Sequence, residues 1–375
     1  MNSPDPAAVL VLNRGSSSIK RALFSFAAEP QTIERASLDL TGGDDIEGLL
    51  AWIDAARDTR RLLAIGHRIV HGGQRYEEPQ VLTDPVRADL DGLVSFAPNH
   101  LPDELALLDA VRRHSPDVPQ VLCFDTGFHR TLPEVARRLP IPARFNAAGV
   151  QAYGFHGLSY TFLLAELERT AGPDAARGRL VLAHLGSGSS LAAVRERRSI
   201  DTSMSFTPTG GVVMSTRAGD LDPSLVTYLL RQPQMTTGEV ERMLTRESGL
   251  LGLSDTTGDM RALLEQEPTN RDARLAVEMF CYRVRKFIGS YAAALGGLDT
   301  LVFSGGIGER AAGVRARICA ALGFLGVEID DAANSKHAPV ISTASATTTV
   351  RVMATNEELV IARAAYRLLA PGQAA

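Results

Sequence analysis

The stretch "LVLNRGSSSIKRAL" at 10–23 returns half a chain later as "LVLAHLGSGSSLAAV" at 180–194. Each copy reads as an apolar strand, a Gly/Ser bend and a second apolar strand, with Gly15 and Gly186 in equivalent places. A repeat constrains the fold more than any composition figure, because it requires one supersecondary unit to be built twice. The backbone amides of a Gly/Ser bend aim several donors at one point, which suits an anion such as phosphate. Two bends of this kind suggest two related domains serving one nucleotide. The competing reading is a chance likeness between two ordinary hairpin turns.

Length and charge fit the first reading. The 375 residues are 45% hydrophobic, enough for two cores. A net charge of −4 argues against nonspecific nucleic-acid binding and against an anionic membrane surface. The three cysteines, Cys123, Cys281 and Cys319, are far apart and match neither a disulfide framework nor a zinc site. The first residues show no basic region and only a four-residue apolar run before Asn13, so neither a signal peptide nor a membrane span is expected. The expectation is a soluble cytoplasmic protein.

Short apolar runs at Val9–Leu12, Ile19–Phe26, Leu62–Ile65 and Gln120–Phe124 read as strands. Helical spacing marks 103–114, with Asp103 as its cap, 159–172, 222–232 and 272–295, the last stopped by Gly296-Gly297. A final helix starts at Thr355, with Thr355 and Glu358 as a capping box. Strands alternating with helices make an α/β fold. The bend "NRGSSSIK" is not a P-loop, since no G-x-x-x-x-G-K-[ST] occurs in the chain. "TLVFSGGIGER" (300–310) reads as a strand, a Gly-rich turn and a helix from about Ala311, without the G-x-G-x-x-G of a dinucleotide site.

Several polar residues stand in apolar settings. Arg68 lies just past a strand, Asp125 at a strand's end, His156 between glycines and Arg217 in a small-residue loop. Taken singly, each favours a structural reading: Arg68 as a surface ion pair, Asp125 as a helix cap, His156 as a satisfied core histidine. Their joint presence with two phosphate-type bends favours chemistry.

At this point the sequence resembles the acetate kinases. "NRGSSSIK", "GHRIVHGG", "FDTGFH", "YGFHG", "HLGSGSS", "FTPTGGVVMSTRAGDLDP", "SGLLGLSDTTGDMR", "FSGGIGE" and "TNEEL" follow in that family's order from residue 9 to about 365. The resemblance implies two duplicated actin-like (ribonuclease H-like) α/β domains with the nucleotide in a cleft between them. It places the first at 1–126 plus 360–375 and the second, nucleotide-binding and dimer-forming, at 127–359. It implies a homodimer. The implied reaction is reversible, direct in-line transfer of a phosphoryl group from ATP to a short-chain carboxylate, acetate first, giving ADP and an acyl phosphate. Propionate, butyrate or a more polar acid are alternatives, as is a nucleotide-binding module with impaired catalysis. Mg²⁺ is the implied metal, with Mn²⁺ as a substitute.

Carried over position by position, the resemblance makes Asp125, His156, Arg217 and Arg68 catalytic. Arg68 would bind the acid, with Val70, Asn99, Phe155 and Pro208 around its acyl group. Ser16, Ser18 and Lys20 would line the phosphate channel, and His184, Leu185, Gly186, Ser187 and Gly188 would hold phosphates from the other side. Asp259, Met260 and Arg261, with Gly306, Ile307, Gly308, Glu309 and Arg310, would surround adenosine. Asn13 and Glu357 would lie at the metal. Three positions depart from the family's pattern: Ser187 and Arg310 each replace an Asn, and Asn99 replaces a Leu of the acyl pocket.

Overall fold

The computed structural model describes residues 7–15, 18–26, 30–39, 46–233 and 235–370. These fall into two compact units, one drawn from 1–128, 157–162 and 356–375, the other from 129–156 and 163–355.

The first unit is built on a six-stranded sheet in the order β3-β2-β1-β4-β6-β5. Its strands are β1 (Ala7–Arg14), β2 (Ser18–Phe26), β3 (Pro30–Asp39), β4 (Leu62–Ile69), β5 (Gln80–Val81) and β6 (Gln120–Phe124). β1 is almost wholly buried, so it reads as a continuous apolar run and not as an alternating one. Its side chains still divide by the strand period of two. Val9 and Val11 face a core closed by Ile361, Ala362 and Ala365 of the helix Glu357–Leu369. Ala8, Leu10 and Leu12 face a second core, where Leu49, Ile53, Leu107 and Val111 come from the helices Ile46–Thr59 and Leu101–His114. Gly66 of β4 lets the C-terminal helix come close, since a Cβ there would sit 2.5 Å from Ile361 Cγ2.

The second unit is built on a five-stranded sheet in the order β11-β10-β7-β8-β9. Its strands are β7 (Leu180–Leu185), β8 (Ser189–Arg195), β9 (Arg198–Thr202), β10 (Thr300–Ser304) and β11 (Thr349–Val352). The long helix Arg271–Leu295 buries Phe280, Val284 and Ile288 in the same core as Val181, Ala183 and Leu191.

The repeat in the sequence is a repeat of topology. β1-β2-β3 and β7-β8-β9 are both antiparallel meanders. In both sheets the first strand then pairs in parallel with a later strand, β4 or β10, and that strand with another, β6 or β11. Gly15 N–H returns to Ser18 O at 2.8 Å, and Gly186 N–H to Gly188 O at 3.1 Å. In each hairpin the glycine N–H that follows the first strand thus turns back to a main-chain carbonyl of the bend or the next strand.

Local readings need four corrections. Arg68 lies inside β4, which runs to Ile69, and not beyond a strand ending at Ile65. The helix expected at 103 starts at Leu101, with Pro102 in its first turn, so Asp103 is a first-turn residue and not the cap. Gly305–Arg310 is itself a short helix, ahead of a second at Ala312–Cys319. Asn356, not Thr355, caps the last helix, its Oδ1 accepting the Leu359 N–H at 3.1 Å. Glu358 cannot complete a capping box because its carboxylate is buried and bound to Arg35 and Asn13. All three cysteines are buried free thiols. Among the described residues, no helix is long and apolar enough to cross a membrane.

Candidate active site

In the first unit the expected residues gather at the ends of β1, β4 and β6. Arg68 donates through Nε and Nη2 to Asp125 Oδ2, at 3.1 and 2.6 Å. Its Nη1 reaches Glu104 Oε1 at 2.6 Å and Arg14 O at 3.0 Å. Asp125 is placed by its own backbone N–H, bound to Ile69 O at 3.0 Å, and its carbonyl accepts from Gly157 N–H at 2.9 Å. A Cβ at Gly157 would lie 2.1 Å from that carbonyl, so only glycine allows the approach. Val70 is buried and its N–H meets Glu104 Oε2 at 2.8 Å. Asn99 is half-buried in the turn before the helix Leu101–His114.

Asn13, near the end of β1, donates its amide nitrogen to Glu357 Oε2 at 2.9 Å and to Glu358 Oε1 at 3.0 Å. Lys20 is exposed and stands directly across the hairpin from Asn13. Burial and the neighbouring Asp125 push the Glu357 carboxyl up, while Lys20, Arg68 and Asn13 pull it down. Asp125 Oδ1 is buried with no hydrogen-bond partner. Ser18 opens β2, and Ser16 lies outside the described residues.

In the second unit the expected residues meet around the second bend. His156 has left-handed backbone, φ 60°, immediately before the helix Gly157–Ala171. Non-glycine residues hold that conformation only where their surroundings enforce it, often at functional sites. Its ring stacks on His184, centroids 4.4 Å apart, and its Nδ1 lies 2.8 Å from Ser190 Oγ. His184 and Ser190 are opposite one another on β7 and β8, so the hairpin itself sets the imidazole. If Ser190 donates to Nδ1, Nε2 carries the proton and is the ring's donor.

Arg217 hangs in a loop folded by glycines. Its Nη1 donates to Pro208 O at 2.8 Å, and Ser187 O accepts from Ser215 N–H at 3.1 Å. Gly188 marks the convergence: a Cβ there would lie 3.4 Å from His156 Nε2 and 3.5 Å from both terminal nitrogens of Arg217. A missing side chain therefore faces a histidine and a guanidinium, which is the environment an anion needs. Gly306 N comes within 3.9 Å of the Cβ position of Gly186, bringing the Gly305–Arg310 helix to the same bend. Leu185 and Gly308 are buried, Ile307 and Glu309 half-buried, and Ser187 and Arg310 exposed. Asp259 caps the next helix, its Oδ1 accepting the Arg261 N–H at 2.9 Å, while Met260 lies in the core. Phe155 is buried and its carbonyl sits 3.2 Å from His129 Nε2.

Gly188→Ala tests the convergence. The fold should tolerate the methyl, whose contacts would be ordinary, while turnover falls about 100-fold because space for an anion is taken. Steady-state kinetics beside a thermal melt measure both, and wild-type turnover would show that the space is not used.

Two partners of these residues, Glu104 and Ser190, lie outside the expected set. Glu104 sits where an acid ordinarily serves the helix dipole in water, so nothing local signals its burial. Ser190 had a signal, its place across the repeated hairpin from His184.

Known proteins resemble the chain over almost its whole length. An acetate kinase from Rhodopseudomonas palustris is 41% identical over 396 aligned positions, covering 97% of this chain and 99% of that protein. Acetate kinase 1 of Neisseria meningitidis is 41% identical over 390, covering 96% and 98%. Among solved structures, a propionate kinase from Francisella tularensis superposes with a TM-score of 0.86 at 33% identity, covering 96% of this chain and 98% of its own. The acetate kinase of Porphyromonas gingivalis gives 0.85 at 31%, covering 97% and 100%. The fold is thus the actin-like α/β fold of those enzymes, one duplicated sheet topology per unit. The sequence model of the acetokinase family matches residues 44–363, and the chain belongs to that family.

Proposed function

We propose that the chain transfers the terminal phosphoryl group of ATP to the carboxylate of a short-chain acid, acetate foremost. A carboxylate oxygen bonds to the γ-phosphorus as the bond to the ADP oxygen breaks, leaving an acyl phosphate and ADP. The observation that carries the reading is the Gly188 space beside His156 Nε2 and Arg217.

The chemistry explains why these residues suffice. A carboxylic acid titrates near pH 4–5, so at pH 7 the nucleophile is already ionised and needs no general base. What it needs is alignment, and relief of repulsion between an anion and a polyanion. We assign Arg68, with Val70, Asn99, Phe155 and Pro208, to the acid. We assign Arg217 and His156 to the transferring phosphoryl group, and Ser18, Lys20 and 184–188 to the phosphates. The Gly305–Arg310 helix and Asp259–Arg261 are assigned to adenosine.

Divalent metal use belongs to this family, and we assign Mg²⁺. The first unit fits such an ion. Asp125 Oδ1 is a buried carboxylate oxygen without a partner, and Asp125 raises the cost of ionising Glu357. The Asn13 nitrogen is spent on two glutamates, which leaves its oxygen as the atom to offer a cation. Among the described residues no cluster of three or more His, Cys, Asp or Glu forms, which suits a metal that keeps most of its waters and takes few protein ligands. Asn13 and Glu357 would hold it, with Asp125 nearby. When bound, the ion offsets charge on the phosphates. We also assign a homodimer, supported by the apolar helix Pro223–Leu230 of the second unit, which buries none of its residues and leaves Tyr228 60% exposed.

Hydroxylamine trapping tests the reaction. Acyl hydroxamate should form, and ATP be consumed, only when acetate, propionate or butyrate is present with Mg²⁺. If none of the three yields product, the proposed activity fails.

A further inference from the structure

Glu104 is 4% exposed, although it lies in the first turn of a helix that begins at Leu101. Burying a carboxylate is costly unless its oxygens are satisfied. Both are: Oε1 by Arg68 Nη1 at 2.6 Å and Oε2 by the Val70 N–H at 2.8 Å. Burial still pushes Glu104 up to about 7, with Arg68 and the Val70 N–H pulling it the other way.

Arg68 is held from two sides as a result. Asp125 occupies Nε and one hydrogen of Nη2, while Glu104 and Arg14 O occupy Nη1. A guanidinium has five N–H donors. Among the described residues these bonds engage four, leaving one Nη2 hydrogen. An unrestrained arginine would meet an acid with a two-pronged fork. This one presents a single N–H in a fixed direction.

We infer that Glu104 is a positioning residue for the acid: it fixes the guanidinium plane of Arg68 and, through the same carboxylate, the backbone of Val70. The inference rests on the proposed carboxylate kinase activity. A carboxylate is required because both of its ends must accept. A glutamine has one acceptor end and one donor end, so it can serve Arg68 or Val70 but not both.

The test uses the full chain with acetate, ATP and Mg²⁺, comparing wild type with Glu104→Gln and Glu104→Ala. In Glu104→Gln the KM for acetate should rise about tenfold, the effect of one lost charge-assisted bond, while the KM for ATP holds and the melting temperature falls by only a few degrees for the one buried donor left without an acceptor. Phenylglyoxal, followed by peptide mapping, should modify Arg68 several-fold faster in the variant, with or without turnover. Should Glu104→Ala fail to fold, the near-isosteric Gln variant decides alone. A folded Glu104→Gln enzyme with an unchanged KM for acetate overturns the inference. So does an unchanged Arg68 modification rate, or a KM for ATP that rises in step. A wild type that phosphorylates no acid sinks the proposed activity, and the inference with it.

Discussion

Arg217→Ala is expected to lower turnover about 1000-fold while the KM for ATP changes less than about threefold. In the proposed reading the second unit would bind nucleotide through backbone and loop groups that do not need Arg217. The bend at Gly186 and Gly188 closes on itself, and the Gly305–Arg310 helix begins beside it. Arg217 Nη1 donates to a main-chain carbonyl, Pro208 O, at 2.8 Å. In the proposed reading its guanidinium stabilises the phosphoryl group in transit, beside the Gly188 space and His156 Nε2. Steady-state kinetics with separate nucleotide titration measure the two quantities. A large loss of ATP affinity with normal turnover would contradict the role.

Arg217 also shows what the sequence made legible. Its loop is rich in glycine, and those glycines are needed. Gly219, at φ +74°, would put a Cβ 2.6 Å from Gly211 O, and Gly249, at φ +65°, would put one 2.2 Å from Met214 O. Backbone that only glycine can adopt leaves a trace in the sequence. So does the doubled hairpin, because apolar runs and Gly/Ser bends are local. The closing strands β3 and β9 of the two meanders left less trace. β3 carries Gln31, Thr32, Glu34 and Arg35, polar residues that a strand at the sheet edge tolerates and an apolar pattern misses. Glu104 was invisible for a different reason. Its burial comes from Arg68, 36 residues away, and a first-turn acid looks the same whether it meets water or a guanidinium.

The second large effect concerns acid. Burial pushes His67, His71 and His129 down to about 4, from an ordinary value of 6.5. A base with a depressed folded pKa binds protons more tightly when unfolded. Its contribution is present above about 6.5 and is lost as pH falls toward 4, up to about 3 kcal/mol for each histidine. His67 shows the cause: its ring is buried, which disfavours the charged form, and Gln120 offsets only part of that. Glu104 acts in the opposite sense. Its raised value favours the folded state as pH falls from about 7 to 4.5, offsetting roughly one histidine. The net loss from these four groups between pH 7 and pH 5 is about 3 kcal/mol, a large share of a typical stability of roughly 5–15 kcal/mol. Urea midpoints should therefore drop clearly from pH 7 to pH 5, and His67→Gln should flatten the dependence. Equal midpoints at the two pH values would show that these histidines are not held neutral.

The helix that closes the first unit arrives last. Asn13 bonds to Glu357, a residue 344 positions later, and Gly66 makes room for Ile361 of the same helix. At synthesis rates of roughly 5–20 residues per second, β1 waits about 20 s to 1 min for the helix that covers it. During that interval Val9 and Val11 lack the side chains that later bury them. The order of manufacture thus makes the earliest strand an exposed apolar surface for longest. It also means that a chain stopped before residue 356 contains Asn13 without either of its glutamates. Premature termination would strip the proposed metal side of Glu357, however well the second unit had folded.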